Sequence, residues 1–271
     1  QKLLSDGWED EYKKYRSLWE SLPMAKKVRN YPLLVDLELV SKCNLNCPMC
    51  PTITDEFHKR RKESSSTGYM DVGLAKHIID EVHPYIYSLR LSWVGESTLH
   101  TNLIEIVRYA KMMGVKEVSF LTNGTKLHLD YMKKLIDAGL DIMTVSIDGM
   151  SEVYNKIRYP LKFDKTVQKL YNLKEYKKQN NFTKPLVKIQ GVWPAIRPNP
   201  EEYYNLFEPI TNLIAFNPLI DYHHNDQSIV YENNFSCSQP YQRLTVAADG
   251  RVAMCSNDDV VETVLGNANN E

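Results

Sequence analysis

The stretch Ser41-Lys42-Cys43-Asn44-Leu45-Asn46-Cys47-Pro48-Met49-Cys50 decides how this chain is read. It follows an apolar run over residues 33–40, which predicts a strand. The cysteines therefore stand on the loop at that strand's carboxyl end, with the spacing C-x3-C-x2-C. A structural zinc site or an ordinary four-iron cluster takes four protein ligands. Three thiolates leave one metal position open, and an open position is where chemistry occurs. The competing reading is a zinc knuckle whose fourth ligand comes from elsewhere, with His58 the nearest candidate.

Outward from that loop the chain alternates. Strands are expected over 33–40, 89–94, 117–121, 142–147, 187–192 and 213–216, the last extending to 220. Helices are expected over 72–85, 103–113, 129–138, 165–178 and 200–210. Such a βα repeat demands a parallel sheet with right-handed crossovers. The pattern fits a barrel, part of a barrel or an open doubly wound sheet. Before it, Trp8, Tyr12, Tyr15, Leu18, Trp19 and Leu22 recur at helical spacing, so residues 1–32 are expected to carry an amphipathic helix, over 8–29, that packs on the core. Residues 55–68, with His58-Lys59-Arg60-Arg61-Lys62 and Ser64-Ser65-Ser66, read as a solvated loop or a lid over the cysteines. The alternation stops after 220. Residues 221–271 read as a second, small module containing Cys237, a hairpin turning at Asp249-Gly250, and Cys255.

With 271 residues, 43% hydrophobic and 25% charged, the composition is that of a globular protein. A net charge of -1 supplies no bulk field for nucleic acid or an anionic membrane. No apolar run approaches the roughly 20 residues that span a bilayer. The five cysteines, three of them in one loop, do not form a disulfide framework, so a reducing cytoplasm is expected.

In a parallel α/β sheet, ligands bind beyond the carboxyl ends of the strands. Short motifs fall at those ends. Val94-Gly95-Glu96 follows the second strand, offering close backbone approach and a carboxylate that can accept from an ammonium. Thr122-Asn123-Gly124 follows the third and reads as a turn. Ser146-Ile147-Asp148-Gly149 closes the fourth, with Ser146 and Asp148 two residues apart and so on one face. Gln190 and Trp193 lie on and after the fifth.

Taken in this order behind the cysteine triad, the motifs resemble those of the radical S-adenosylmethionine (radical SAM) superfamily, with Met49 in the apolar position before the last cysteine and Val94 in place of the first glycine of a Gly-Gly-Glu motif. The resemblance implies a (βα)6 partial TIM barrel over 33–220. It also implies a [4Fe-4S] cluster on Cys43, Cys47 and Cys50, whose open iron binds S-adenosylmethionine. Gly95 and Glu96 would meet the cofactor's amino group, and Ser146 would help bind it beside Asp148. Arg158, which ends the stretch Tyr154-Asn155-Lys156-Ile157-Arg158, would pair with its carboxylate, and Gln190 and Trp193 would neighbour its adenine or ribose. Cys237 and Cys255 around a glycine hairpin resemble the first half of a SPASM or Twitch extension, which implies an auxiliary [4Fe-4S] cluster in a small C-terminal iron–sulfur module. That extension carries further cysteines downstream, so either the natural chain continues past Glu271 or the auxiliary site takes non-cysteine ligands.

The expected activity is reductive cleavage of S-adenosylmethionine to a 5′-deoxyadenosyl radical that takes hydrogen from a substrate carbon. The favoured outcome is oxidation of the substrate, with the auxiliary cluster as electron acceptor. With all five cysteines on clusters, no thiol in this stretch remains to return a hydrogen, the usual donor of an epimerase. A tyrosine, a thiol further along the natural chain, or Cys237 or Cys255 without an auxiliary cluster, is the alternative donor. A radical epimerase or a peptide-modifying enzyme of the same superfamily is the alternative. A non-catalytic iron–sulfur protein for electron transfer or binding is the alternative of another class. The expected partners are a small-molecule or peptide substrate and an electron donor such as flavodoxin or ferredoxin. The substrate is expected near residues 221–226, Trp193 and Tyr241.

Overall fold

A computed structural model describes residues 2–63, 68–219 and 235–270. Ser64, Ser65, Ser66 and residues 221–226 lie outside the described residues.

Six parallel strands run in chain order: β1 (Leu34–Leu37), β2 (Ser88–Arg90), β3 (Glu117–Thr122), β4 (Ile142–Ser146), β5 (Leu186–Val192) and β6 (Leu213–Asn217). Helices Val72–Val82, Leu103–Met112, Leu129–Asp137, Phe163–Gln179 and Pro200–Phe207 connect them. Each strand pairs with the next, and β6 ends the row without reaching β1, as a partial (βα)6 barrel requires. Burial alternates along β3, where Val118, Phe120 and Thr122 are buried while Glu117, Ser119 and Leu121 are only half-buried. Val118 and Phe120 join the main core with helix residues such as Ile79, Ile106, Leu135 and Leu170.

The helix Glu9–Met24 occupies the other end of the molecule. Tyr12, Tyr15 and Leu22 lie on one face, and with Trp8 they pack against Leu33, Tyr87 and Tyr241. Tyr241 thus faces this helix, which corrects its expected place beside a substrate; its ring finds an aromatic cluster that excludes water.

Two features depart from the pattern read in the sequence. Residues 55–63 form a helix, Asp55–Glu63, instead of a solvated loop. Acidic residues open its first turn, favourably for the helix dipole. Phe57 and Arg61, four residues apart, are both buried. The second departure concerns the C-terminal segment. Strand β7 (Arg243–Val246) pairs in parallel with β1, while β8 (Arg251–Ala253) and β9 (Val264–Asn267) continue antiparallel. Among the described residues the sheet therefore has nine strands in the order β6-β5-β4-β3-β2-β1-β7-β8-β9. The hairpin is an extension of the barrel sheet beyond β1.

Candidate functional site

The cysteine loop leaves β1 under tight local control. Ser41 Oγ donates to Gly68 O at 3.2 Å, and the Ser41 N–H donates to the same oxygen at 2.9 Å. Cys50 N–H donates to Cys47 O at 2.9 Å, closing a turn that hands the chain to a short 3₁₀ segment, Pro51–Ile53. All three thiols are free, with Cys43 exposed, Cys50 half-buried and Cys47 buried. They are close enough to feel one another's charge, and burial, the largest influence, pushes the Cys43 and Cys47 thiols up. Cys50 Sγ shares a hydrogen bond with Thr52 Oγ1 at 3.0 Å.

Gly95 is where the second strand's loop touches the cysteine loop. A Cβ there would lie 2.3 Å from Val40 O and 2.5 Å from Lys42 O. Next to it, Glu96 N–H donates to Lys42 O at 2.9 Å. Only glycine permits this approach.

Glu96 is nearly inaccessible, at 2% exposure. Its Oε1 accepts from Thr98 N–H at 3.1 Å, from the Thr98 hydroxyl, and from Thr122 Oγ1 at 2.7 Å. Its Oε2 accepts from Asn123 N–H at 2.6 Å. The carboxylate thus binds the loops after β2 and β3 to each other. Asn123, read in the sequence as part of a turn, sends its amide to the cysteine loop: Nδ2 lies 2.8 Å from Asn44 Oδ1 and 3.7 Å from Cys43 Sγ. No sequence signal distinguishes that role from a turn asparagine.

Asp148 and Arg158 meet each other. Arg158 Nε and Nη2 reach Asp148 Oδ2 at 2.6 and 2.5 Å, and Val192 N–H donates to Asp148 Oδ1 at 2.8 Å. Burial works against the guanidinium's charge, but Asp148 and the neighbouring Cys47 outweigh it and raise its pKa. Ser146 and Gln190 are register partners on β4 and β5, so both point to the same face of the sheet. Trp193, just after β5, packs against Phe216 of β6 with ring centroids 4.9 Å apart.

Cys237 is exposed and Cys255 half-buried. Ser256 Oγ donates to Gln239 Oε1 at 3.4 Å, so the two cysteine segments run side by side. Asp258 is occupied as an acceptor for Glu262 N–H and Thr263 N–H.

Among the described residues, no group of three or more His, Cys, Asp or Glu side chains surrounds a single metal ion. His58 stands on the helix Asp55–Glu63 with its ring against Phe57. The zinc reading thus has no fourth ligand in His58. The donor set, three soft thiols on one loop, suits an iron–sulfur cluster better than a small tetrahedral site, for which the described residues gather no group of ligands.

Comparison with known proteins agrees with this geometry. Residues 37–191 match the Radical SAM superfamily. An AdoMet-dependent heme synthase of Methanosarcina barkeri is 32% identical across 58% of this chain and 48% of its own length. A 7,8-dihydro-6-hydroxymethylpterin dimethyltransferase of Methanocaldococcus jannaschii is 31% identical across 44% of this chain and 23% of its own. The chain thus spans less than half the length of these relatives. Two solved structures share the fold. BtrN in complex with AdoMet and 2-DOIA has a TM-score of 0.58 at 19% identity, over 89% of this chain and 80% of that one. Streptococcus suis SuiB bound to precursor peptide SuiA has a TM-score of 0.61 at 12% identity, over 94% and 66%. With the family match covering more than half of its 271 residues, and the triad, Gly95 and Glu96 gathered at one end of its sheet, the chain belongs to the Radical SAM superfamily.

Proposed function

We propose that this chain is the core of an oxidoreductase that holds a [4Fe-4S] cluster on Cys43, Cys47 and Cys50 and binds S-adenosylmethionine beside it. When bound, these groups supply a 5′-deoxyadenosyl radical able to take hydrogen from an unactivated carbon. The observation that carries the reading is the convergence of three strand-end loops on one cysteine loop. Gly95 and Glu96 N–H contact Lys42, Asn123 contacts Cys43, and Arg158 lies beside Cys47.

The residues' own work follows from their contacts. The thiols bind iron once deprotonated. Gly95 leaves room for backbone, and Glu96 holds the second and third loops in place. Ser146 and Gln190 offer hydrogen bonds from the shared inner face, and Asp148 fixes Arg158 at the edge of the site. Trp193 with Phe216 provides an apolar wall.

Dehydrogenation is the favoured net reaction. It removes a hydrogen atom, a proton and an electron from the substrate, and the electron needs an acceptor. Cys237 and Cys255, whose segments meet where Ser256 bonds Gln239, would hold that acceptor as an auxiliary cluster together with ligands from elsewhere. A small molecule or a peptide fits equally. BtrN has been solved with 2-DOIA and SuiB with a precursor peptide, and both share this fold. Flavodoxin or ferredoxin would serve as reductant. The proposed setting is the cytoplasm, where free cysteines stay reduced; among the described residues, no helix is long and apolar enough to cross a membrane.

The test is iron analysis of anaerobically reconstituted protein, wild type against a Cys43→Ala/Cys47→Ala/Cys50→Ala variant. Loss of about four irons on triple substitution is expected, with about four retained where the auxiliary cluster exists. Wild-type protein reduced with dithionite in the presence of S-adenosylmethionine should release 5′-deoxyadenosine. Zinc in place of iron, or no 5′-deoxyadenosine with the cluster intact, overturns the proposal.

A further inference from the structure

We infer that Asn123 is a positioning residue that sets the reduction potential of the cluster on the cysteine loop, by donating a hydrogen bond to the sulfur of Cys43. The inference rests on the cluster reading above, and on a geometry that defines which end of the amide faces the sulfur.

Asn123 is 3% exposed. Its Oδ1 accepts from Thr125 N–H at 2.9 Å and from Thr125 Oγ1 at 2.6 Å. A backbone N–H cannot reverse its role, so the oxygen must face Thr125 and the NH₂ must face the cysteine loop. The two amide hydrogens then have two acceptors, Asn44 Oδ1 at 2.8 Å and Cys43 Sγ at 3.7 Å. The backbone is fixed as firmly. Asn123 N–H is held by Glu96 Oε2 at 2.6 Å, and Glu96 N–H reaches back to Lys42 O at 2.9 Å. Lys42, Glu96, Asn123 and Cys43 therefore form a closed ring of contacts.

The three sulfurs have different surroundings. Cys43 receives the Asn123 amide and the Leu45 N–H, Cys47 has the Arg158 charge nearby, and Cys50 has the Thr52 hydroxyl. A bound thiolate keeps lone pairs that accept N–H donors. Negative charge on the sulfurs grows when a cluster takes up an electron. A donor aimed at a ligand sulfur therefore favours the reduced state and raises the potential. Asn123 would make electron delivery to the open-iron cluster easier without touching the substrate.

The experiment uses the full chain, reconstituted anaerobically, as wild type, Asn123→Ala and Asn123→Asp. Iron content and cluster absorbance are measured first. The midpoint potential is then measured by dye-mediated titration, followed by electron paramagnetic resonance of the reduced cluster. The same series in a Cys237→Ala/Cys255→Ala background isolates the signal. Aspartate keeps an oxygen for Thr125 but brings no N–H and adds negative charge toward Cys43. The expected result is full iron in all three proteins, with the potential falling from wild type to Asn123→Ala and further to Asn123→Asp. Equal potentials overturn the inference. Loss of iron in both variants also overturns it, because Asn123 is then a packing residue. Wild-type protein that takes up no iron removes the cluster reading itself.

Discussion

Glu38, the residue after β1, and Arg61 on the helix Asp55–Glu63 form an ion pair closed to water, their side chains 0% and 3% exposed. Arg61 also donates to Asp259 O and lies over the Trp93 ring, 5.3 Å from its centroid. Glu38 Oε2 accepts Ala248 N–H at 3.0 Å, and Trp93 Nε1 donates to Ser256 O at 2.8 Å, next to Cys255. One buried pair thus connects the first strand, the helix after the cysteine loop and the C-terminal hairpin.

Breaking that pair from one side should be costly. Arg61→Ala leaves a buried carboxylate with the Ala248 N–H but no counter-charge, which costs about 3–5 kcal/mol. Arg60, one residue earlier, bonds exposed Glu262 at 2.8 Å, and Arg60→Ala should change stability by about 0–1 kcal/mol. Urea denaturation of the metal-free protein compares the two. A double variant, Glu38→Gln/Arg61→Met, should recover much of the Arg61→Ala loss, since no unpaired charge remains. Equal effects of Arg60→Ala and Arg61→Ala would contradict the burial argument.

Gly95→Ala should empty the metal site at modest cost elsewhere. The added Cβ would sit 2.3 Å from Val40 O and 2.8 Å from Lys42 N, so the backbone leading into Cys43 must move. Gly114→Ala is the control. Its φ of +88° strains alanine by roughly 1–2 kcal/mol, but nothing lies within 4 Å of the new methyl. Reconstituted iron should fall in Gly95→Ala and stay at the wild-type level in Gly114→Ala. Similar iron in both would show that the cysteine loop does not depend on this contact.

The parallel core was readable from sequence because βα repeats impose a strand–helix alternation on the chain, and strand-end motifs mark the ligand face. What stayed hidden depends on long-range pairing. Charge in residues 55–63 looks solvated until Glu38 is placed 23 positions upstream of Arg61. That β7 adds to β1 rests on contacts such as Arg243 to Asp36, 207 positions apart, for which local pattern carries no trace. Asn123 has the composition of any turn, and its value as a donor exists only because Thr125 orients its amide.

Lys177 supplies a pH-dependent signature of the core. It is buried, donates to Pro185 O at 2.6 Å, and burial depresses its pKa to about 8 from the ordinary 10.5. The unfolded chain therefore binds the proton more tightly, so the penalty is fully present below pH 8. It is relieved as pH rises from 8 toward 10.5. Wild type should gain about 1–2 kcal/mol across that window relative to Lys177→Met, allowing for water that still reaches the ammonium. A flat difference between the two proteins in chemical unfolding at pH 7.5, 9 and 10.5 would contradict it.

Glu96→Gln separates two roles for the glutamate. Were its carboxylate present only to meet a cofactor ammonium, the variant would unfold like wild type whenever the cofactor is absent. The contacts argue otherwise. Oε1 takes Thr98 N–H and Thr122 Oγ1, and Oε2 takes Asn123 N–H. Glutamine offers one acceptor oxygen and one NH₂, so whichever way the amide turns, a buried backbone N–H faces another donor. Leaving that donor unsatisfied costs about 1–3 kcal/mol. In a chain of this size, that lowers the unfolding temperature by about 2–10 °C. Calorimetry of metal-free, cofactor-free Glu96→Gln should show the drop, and the loosened loop after β3 should let Asn123 leave Cys43. An unchanged transition would return Glu96 to a purely cofactor-facing role.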